Sequence, residues 1–529
     1  MLKFLRFDFF SPGLVCSILL YKRLDLALTR IDGRGTMSTF QTKNIQTEDK
    51  TGQIPYKWKA LATVALGTFM GTMDVSIVNI SFPILTKALQ TDIVTVIWVT
   101  LAYTLVSTSL LLFVGKVGDQ IGRKKIYAGG ALIFTMGLIL CSLSQSITQL
   151  IVFRVLQAVG AAMAISCGTA IVTEAFPPEE RGKGLGLVGV SVSAGFILGP
   201  ILGGFLLDWL NWRSIFYIRI PVGLLTFIMA LSFLKKDRVK PGKITLDIKG
   251  TLASSIGLGS IIFGLSQISH FGLKSLVVFS LIGLGVTSLF VMFFIERRTK
   301  DPIIDLSLFK DRGFSSAFWA LFLIFLAYPA YSLIIPFYLI QGIGIIPSRA
   351  GFVMASVSMT SIIIGPISGW LSDRFGPVWF STMGALLSVA AFFLMRGFDL
   401  QTQITGILPV LSLFGLGVGL FQSPNSSVIM GAVIKERLGT ASALIATMRS
   451  VGMAAGTAIA GTIFSARKVT HALNLSQRGM EASSVNNHAV YLAFHDVLPV
   501  AIAFMIFAAA LSLGTKRRKR GYQRPLKNE

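Results

Sequence analysis

Apolar runs of about 20 residues recur along almost the whole chain, separated by short charged stretches; a hydrocarbon slab about 30 Å thick demands this spacing of the helices that cross it. Inside such a slab no water satisfies the backbone, so each segment must close its own hydrogen bonds as a helix. Composition points the same way. Of 529 residues, 53% are hydrophobic and only 14% charged, whereas soluble domains run near a quarter charged. A water-soluble core cannot hide that much apolar surface, so the chain reads as an all-α polytopic membrane protein. The runs predict fourteen spans, at 60–84, 95–115, 126–145, 148–173, 184–207, 214–234, 250–269, 275–295, 314–340, 349–371, 378–395, 406–430, 440–464 and 494–514.

Charge orients the spans. Lys and Arg number 48 against 24 Asp and Glu, a formal net charge of +24. Nucleic-acid binding would need those cations on one soluble face or interleaved with exposed aromatics, and here they sit between apolar runs. The even-numbered connections and the C-terminal tail carry several times as many Lys and Arg as the odd-numbered ones, concentrated at 235–249, 297–312 and 516–520. That asymmetry predicts both termini on the cytoplasmic side of a plasma membrane. The tail run reads as a topology anchor rather than a nuclear signal. Cys16, Cys141 and Cys167 lack paired spacing and read as small hydrophobes. Residues 1–57 fit badly, because the run 9–21 is too short to span and is broken by Ser11-Pro12-Gly13. They read as an extension, with a start-site artefact and translation from Met37 as the expectation.

An internal repeat divides the rest. Gly115-Lys-Val-Gly-Asp119-Gln-Ile-Gly122-Arg123 follows the second span, and a weaker Gly369-Trp-Leu-Ser-Asp373-Arg-Phe-Gly376 follows the tenth, with Asp373 lying 254 positions after Asp119. Glu436-Arg437 at the thirteenth span lies 256 positions after Glu180-Arg181 at the fifth. The expected organisation is an extension (1–57), a six-helix bundle (58–236), two inserted helices with linkers (237–312), a second six-helix bundle (313–515) and a basic tail (516–529).

Four motifs carry chemistry. Asp74, in Met73-Asp74-Val-Ser-Ile-Val-Asn79-Ile-Ser-Phe-Pro83, is a carboxylate well inside an apolar span. An isolated ionised carboxylate there is costly, so Asp74 should bind a proton or sit beside a cation; a structural hydrogen bond is the plainer alternative. Arg154 lies in Phe153-Arg154-Val-Leu-Gln157-Ala-Val-Gly160. A permanent cation there needs a carboxylate, carbonyl or water, unless it snorkels to an interface. In the loop after the second span, Gly115 and Gly118 permit close helix approach, Asp119 can face a helix N-terminus or Arg123, and Gly122 allows a tight turn. In the fifth span, Gly195-Phe-Ile-Leu-Gly199-Pro200-Ile-Leu-Gly203-Gly204 has the small-residue spacing that lets backbones approach, and Pro200 frees a carbonyl.

Over about residues 58–515 these motifs resemble the major facilitator superfamily and, within it, the fourteen-spanner drug/proton antiporter family. The resemblance implies a fold of two pseudo-symmetric six-helix bundles. It also implies proton coupling by Asp74 with Arg154, a conformational gate at Gly115, Gly118, Asp119, Gly122, Arg123 and Asp373, and an antiporter helix at Gly195, Gly199, Pro200, Gly203 and Gly204. Asn79, Gln157, Arg219 and Arg449 are candidate cavity residues. The chain departs from the family pattern at Tyr217-Ile218-Arg219-Ile220-Pro221, where Asn usually stands in place of Arg219; that cation either disfavours cationic substrates or snorkels. The tenth span lacks an acid, and Arg449 can pair with Asp74 or with carbonyls.

The expected function is proton-driven export of small lipophilic or drug-like compounds by alternating access. Its partners would be the cargo, protons and the bilayer, with no nucleic acid, and the energy source would be the proton gradient, with no cofactor and no metal. Nothing in the sequence speaks for or against an accessory periplasmic protein. The alternatives are export of one endogenous metabolite or lipid, a receptor on the same fold and, more remotely, a membrane-embedded enzyme. Enzyme chemistry needs clustered groups at one depth, and His270, His471, His488 and His495 are expected in loops or at a helix end. The absence of a Gly-x-x-x-x-Gly-Lys-Ser/Thr loop argues against ATP-driven pumping. Residues 466–491 are expected to form the longest external loop.

Overall fold

The structure, a computed structural model, describes residues 54–177, 180–235, 248–272, 275–298, 306–433 and 438–514. Its principal helices are α1 (Tyr56–Ala88), α2 (Ile93–Ile121), α3 (Arg123–Leu143), α4 (Ile147–Ala175), α5 (Arg181–Trp209), α6 (Ser214–Phe233) and α7 (Ile248–Phe271), followed by α8 (Leu276–Arg298), α9 (Arg312–Gly342), α10 (Pro347–Phe375), α11 (Pro377–Met395), α12 (Ile404–Gly431), α13 (Leu438–Gln477) and α14 (Ala482–Ser512). Among the described residues there is no strand. Thirteen of these helices are long and apolar enough to cross a membrane, and α7 adds the shorter apolar stretch Leu252–Leu265. The expectations for residues 1–53, including Cys16 and Met37, for Glu436-Arg437 and for the basic tail lie outside the described residues.

The apolar faces require hydrocarbon. On α3, Leu132, Met136, Ile139 and Leu143 recur at helical spacing and are all exposed, as are Phe279, Val286 and Phe290 on α8. Stripes of this size facing water would be a liability, whereas facing lipid tails they are at no disadvantage. Several helix starts are capped by side chains: Asp92 accepts from the Thr95 amide, Ser146 from Gln149, and Asp311 from Gly313 and Phe314.

The repeat is visible as equivalent packing. Helix α2 packs on α4 and α3 on α4, and correspondingly α10 packs on α12 and α11 on α12. Gly130 and Gly384, 254 positions apart, lie at matching crossings: a Cβ on Gly130 would meet the Gly160 carbonyl at 2.8 Å, and one on Gly384 the Gly417 carbonyl at 2.6 Å. The α2–α3 and α10–α11 corners each turn on a glycine in the left-handed region, Gly122 at φ 111° and Gly376 at φ 90°. Each donates its amide to a carbonyl of the preceding turn, that of Gly118 at 3.0 Å and that of Ser372 at 2.9 Å. L-residues with a Cβ are strained there, which explains why glycine closes both corners.

The first half (α1–α6) and the second (α9–α14) meet through α5 against α10 and through α2 against α13. Helices α7 and α8 pack on each other, and α7 lies against α2 and α13, bridging one seam only. Trp98 of α2 meets Phe263 of α7 edge-on at 5.2 Å, and the Thr462 hydroxyl of α13 donates to the Leu265 carbonyl of α7 at 3.4 Å.

Three sequence expectations need correction. The sixth span is not continuous: Ser214–Tyr217 and Ile220–Phe233 are separate helices, because Pro221 in the first turn of the second lacks the amide needed to continue the ladder. Residues 466–491 are not a loop, since α13 runs to Gln477 and α14 begins at Ala482, leaving a turn that contains Gly479 at φ 76°. Polar residues there end the apolar signal without ending the helix. Helix α9 carries Pro329 and Pro336 and closes on a wide turn at Tyr338–Gly342, so it is three short helical pieces beyond Ala327 rather than one uniform rod.

Candidate functional site

Asp74 lies midway along α1 with no exposed surface, and two guanidinium groups close on it from other helices. Arg154 of α4 donates through Nη1 to Asp74 Oδ2 at 2.5 Å, and Arg219, at the break in α6, donates through Nη1 to Asp74 Oδ1. The two arginines are held alike. Arg154 Nε donates to the Val99 carbonyl at 3.0 Å and Arg219 Nε to the Ile215 carbonyl at 2.6 Å. Gln157 fills the gap between them, its amide donating to Asp74 Oδ1 at 3.0 Å while its oxygen accepts from Arg154 Nη1 at 2.8 Å. The Tyr103 ring lies 4.2 Å from the Arg154 guanidinium carbon, a cation–π contact.

Two cations and one anion leave this cluster with a net charge of +1. Arg154 Nη2, Arg219 Nη2 and the Tyr103 hydroxyl are buried without a hydrogen-bond partner among the described residues. Burying an ion removes several kcal/mol of hydration, which mutual attraction recovers only when partners are close and hydrogen-bonded. The geometry supplies this for the three facing groups and withholds it from the outer Nη2 atoms.

The snorkelling readings of Arg154 and Arg219 are therefore wrong, as both side chains turn inward and are at most 1% exposed. The expected partnership of Asp74 with Arg154 is present. The sequence does not reveal Arg219 as a second partner, since 145 positions separate it from Asp74 and the helix break that aims it is a local event. Its one signal is an Arg directly before Ile-Pro at a span's start. Asn79 is buried one turn further along α1 and accepts from the Thr100 hydroxyl at 3.5 Å. Arg449 joins none of this. It lies half-buried on α13, 5.9 Å from the Phe325 ring centroid, with no carboxylate or carbonyl partner among the described residues.

The fifth-helix glycines lie on both sides of α5. A Cβ on Gly195 would meet the Thr72 hydroxyl of α1 at 2.1 Å, and one on Gly199 that of Ser76 at 1.9 Å. Gly203 abuts Ile77 and Ile80, while Gly204 would meet the Pro347 carbonyl of α10 at 2.3 Å and Gly351 of α10 the Pro200 carbonyl at 2.1 Å. Asp208 then accepts from the Ser348 amide at 2.9 Å. All these α5–α10 contacts lie toward the face of the odd-numbered connections. Toward the other face, a Cβ on Gly182, Gly186 or Gly189 of α5, or on Gly365 of α10, would meet nothing within 4 Å. The two halves thus touch at the odd face and part toward the even face.

In the candidate gate, Gly118 is tight against Cys167 Sγ, at 2.6 Å from a notional Cβ, whereas Gly115 has ordinary contact with Ser166 at 3.8 Å. Arg123 pairs with Glu174 at 3.1 Å, Asp373 is exposed, and the Asp119 side chain lies outside the described residues. At the same face Lys57 donates to Glu180 at 2.6 Å and holds that carboxyl below its usual range. One turn from Asp74, a small apolar cavity of about 30 Å³ opens between α1, α3, α4 and α6, lined by Gly67, Met70, Gly71, Ala131, Phe134 and Gly223 among others.

A family profile described as Major Facilitator Superfamily matches residues 64–457. The chain is 33% identical to a riboflavin transporter of Clostridioides difficile, RibZ, over 77% of this chain and 88% of that protein. It is 28% identical to the multidrug transporter protein MdtP of Bacillus subtilis, covering 79% and 77% of the two chains, and 29% identical to the multidrug resistance protein Stp of Mycobacterium tuberculosis, covering 77% and 75%. Among solved structures, a bacterial homologue of the human lysosomal transporter Spinster, in an inward-facing and unoccupied conformation, superimposes with a TM-score of 0.62 at 16% identity over 87% of this chain and 97% of that one. The chain belongs to the Major Facilitator Superfamily and is a multi-pass membrane transporter, not an enzyme.

Proposed function

We propose that the protein is a proton-coupled antiporter that exports small lipophilic compounds by alternating access across the plasma membrane, with both termini in the cytoplasm and no resident cofactor. The observation that carries this reading is the buried Asp74 clamped between Arg154 and Arg219. It is an ionisable group where ionisation is costly, balanced by cations whose charge does not change. A proton arriving on Asp74 would cancel the cluster's one negative charge and leave two buried guanidiniums unbalanced. Helices α1, α4 and α6 would then have reason to move apart, and loss of the proton would draw them back. With the lysine-rich even face in the cytoplasm, the described conformation is open inward and closed outward, ready to take cargo from inside. Multidrug relatives support a lipophilic cargo. The riboflavin transporter relative supports a narrower second reading, transport of one planar aromatic metabolite.

Purified protein in liposomes, loaded in turn with a panel of dyes, drugs and riboflavin, tests both. An imposed proton gradient should accelerate movement of several panel members. Movement at the same rate without a gradient would refute proton coupling, and movement of riboflavin alone would favour the second reading.

A further inference from the structure

We propose that Arg449 is the recognition point for an organic anion in the transport cavity, so that the cargo is an aromatic compound bearing a negative charge. This rests on the transporter reading above and names the substrate class of its cavity. Arg154 and Arg219 each have a carboxylate and a carbonyl, but Arg449 has neither among the described residues. It stands about three turns inside α13 from its even-face start, and its neighbours are the Phe325 ring at 5.9 Å and the Tyr328 hydroxyl. A guanidinium at membrane depth must find an acceptor, and with none among the described residues it is left to water or to a ligand.

The packing says where that ligand would come from. Residues 444–451 of α13 are all half-buried, whereas 454–458 on the odd-face side are all buried. Arg449 therefore sits where the halves have parted. Beside it, the half-buried Tyr328 is held from behind by two buried rings, edge-on to Tyr331 at 5.5 Å and tilted on Phe414 at 5.9 Å, and can offer its own ring to a flat aromatic scaffold. The Asp74, Arg154 and Arg219 cluster already carries a net charge of +1, and Arg449 adds a further cation inside a span. That field repels a cation and attracts an anion. A carboxylate or phenolate on an aromatic scaffold meets both features at once, through charge-assisted hydrogen bonds and ring stacking.

Two xanthene dyes of similar shape and opposite charge make the test. Fluorescein (anionic) and rhodamine 123 (cationic) are titrated against purified detergent-solubilised protein by fluorescence anisotropy, with no proton gradient present, so that the result is independent of proton coupling. Wild type should bind fluorescein at least about tenfold more tightly than rhodamine 123, and Arg449→Gln should weaken fluorescein by about tenfold or more, as loss of a charged hydrogen-bond partner predicts. Arg449→Lys should retain most of the binding. Equal binding of the two dyes by wild type overturns the proposal whether or not the variants fold, and so does undiminished fluorescein binding by a folded Arg449→Gln. Added phosphatidylglycerol separates the two sources of an anion: displacement of the dye by that lipid would mean that Arg449 holds a headgroup, and would overturn the assignment to a solute.

Discussion

Gly122 and Gly376 make the same turn in the two halves, yet the cores behind those turns are built from different chemistry. The first half buries a carboxylate, two guanidiniums and a glutamine among α1, α4 and α6. The second half buries rings: Tyr328, Tyr331, Phe392 and Phe414 between α9, α11 and α12, and a stack of Tyr338, Phe398 and Phe494 with centroids 4.6 to 6.4 Å apart. One cation inside a span, Arg449, has no anion beside it among the described residues. A duplicated scaffold thus carries two kinds of interior. The central ion cluster lies in the first half, and the stacked aromatic clusters in the second.

The comparison can be broken by mutation. In the first half, Arg154 has more to lose than Arg219, since it also bonds Gln157 and stacks on Tyr103. Arg154→Ala leaves Asp74 paired with Arg219 and should destabilise the detergent-solubilised protein by about 2–3 kcal/mol, the cost of losing charged hydrogen bonds in a buried site. Arg219→Ala should have a smaller effect, because Asp74 keeps Arg154 and Gln157. Equal losses in thermal unfolding would mean that the two arginines are equivalent. At the seam, Gly204→Val or Gly351→Val drives a side chain into a carbonyl and should disfavour the odd-face contact by about 1–3 kcal/mol. Gly186→Val and Gly189→Val, where a Cβ meets nothing, should have little effect. Accessibility of a cysteine placed at Ser348 to a membrane-impermeant thiol reagent reads the difference. The smallest effect tests the repeat itself: Gly122→Ala and Gly376→Ala should each cost about 1–2 kcal/mol from the left-handed backbone alone. A large inequality between them would show that the two corners are not held alike.

Much of this was legible before the fold. Apolar runs locate the spans because the bilayer fixes their length, and Asp74 and Arg154 stand out because ions are rare at that depth. The helical extension of α13 past Arg467 was not legible, since a polar helix beyond the hydrocarbon looks like a loop to any hydropathy reading. Nor was the role of Arg219. Its direction depends on the break before Ile220–Phe233, and pairing across the bundle is a tertiary fact that no local pattern encodes. Gly115 illustrates the opposite error: its place in a glycine motif suggests a tight approach, but its nearest neighbour would be an ordinary 3.8 Å from a Cβ.

The central claim is that Asp74 takes up and releases the transported proton. Proteoliposomes with a trapped pH-sensitive dye report proton flow when substrate is added, with Asp74→Asn compared at equal folded protein and with substrate binding measured separately. Substrate-dependent proton flow should be present in wild type and fall to the level of empty liposomes in Asp74→Asn while binding persists. Proton flow at the wild-type rate in a folded Asp74→Asn protein would contradict the account.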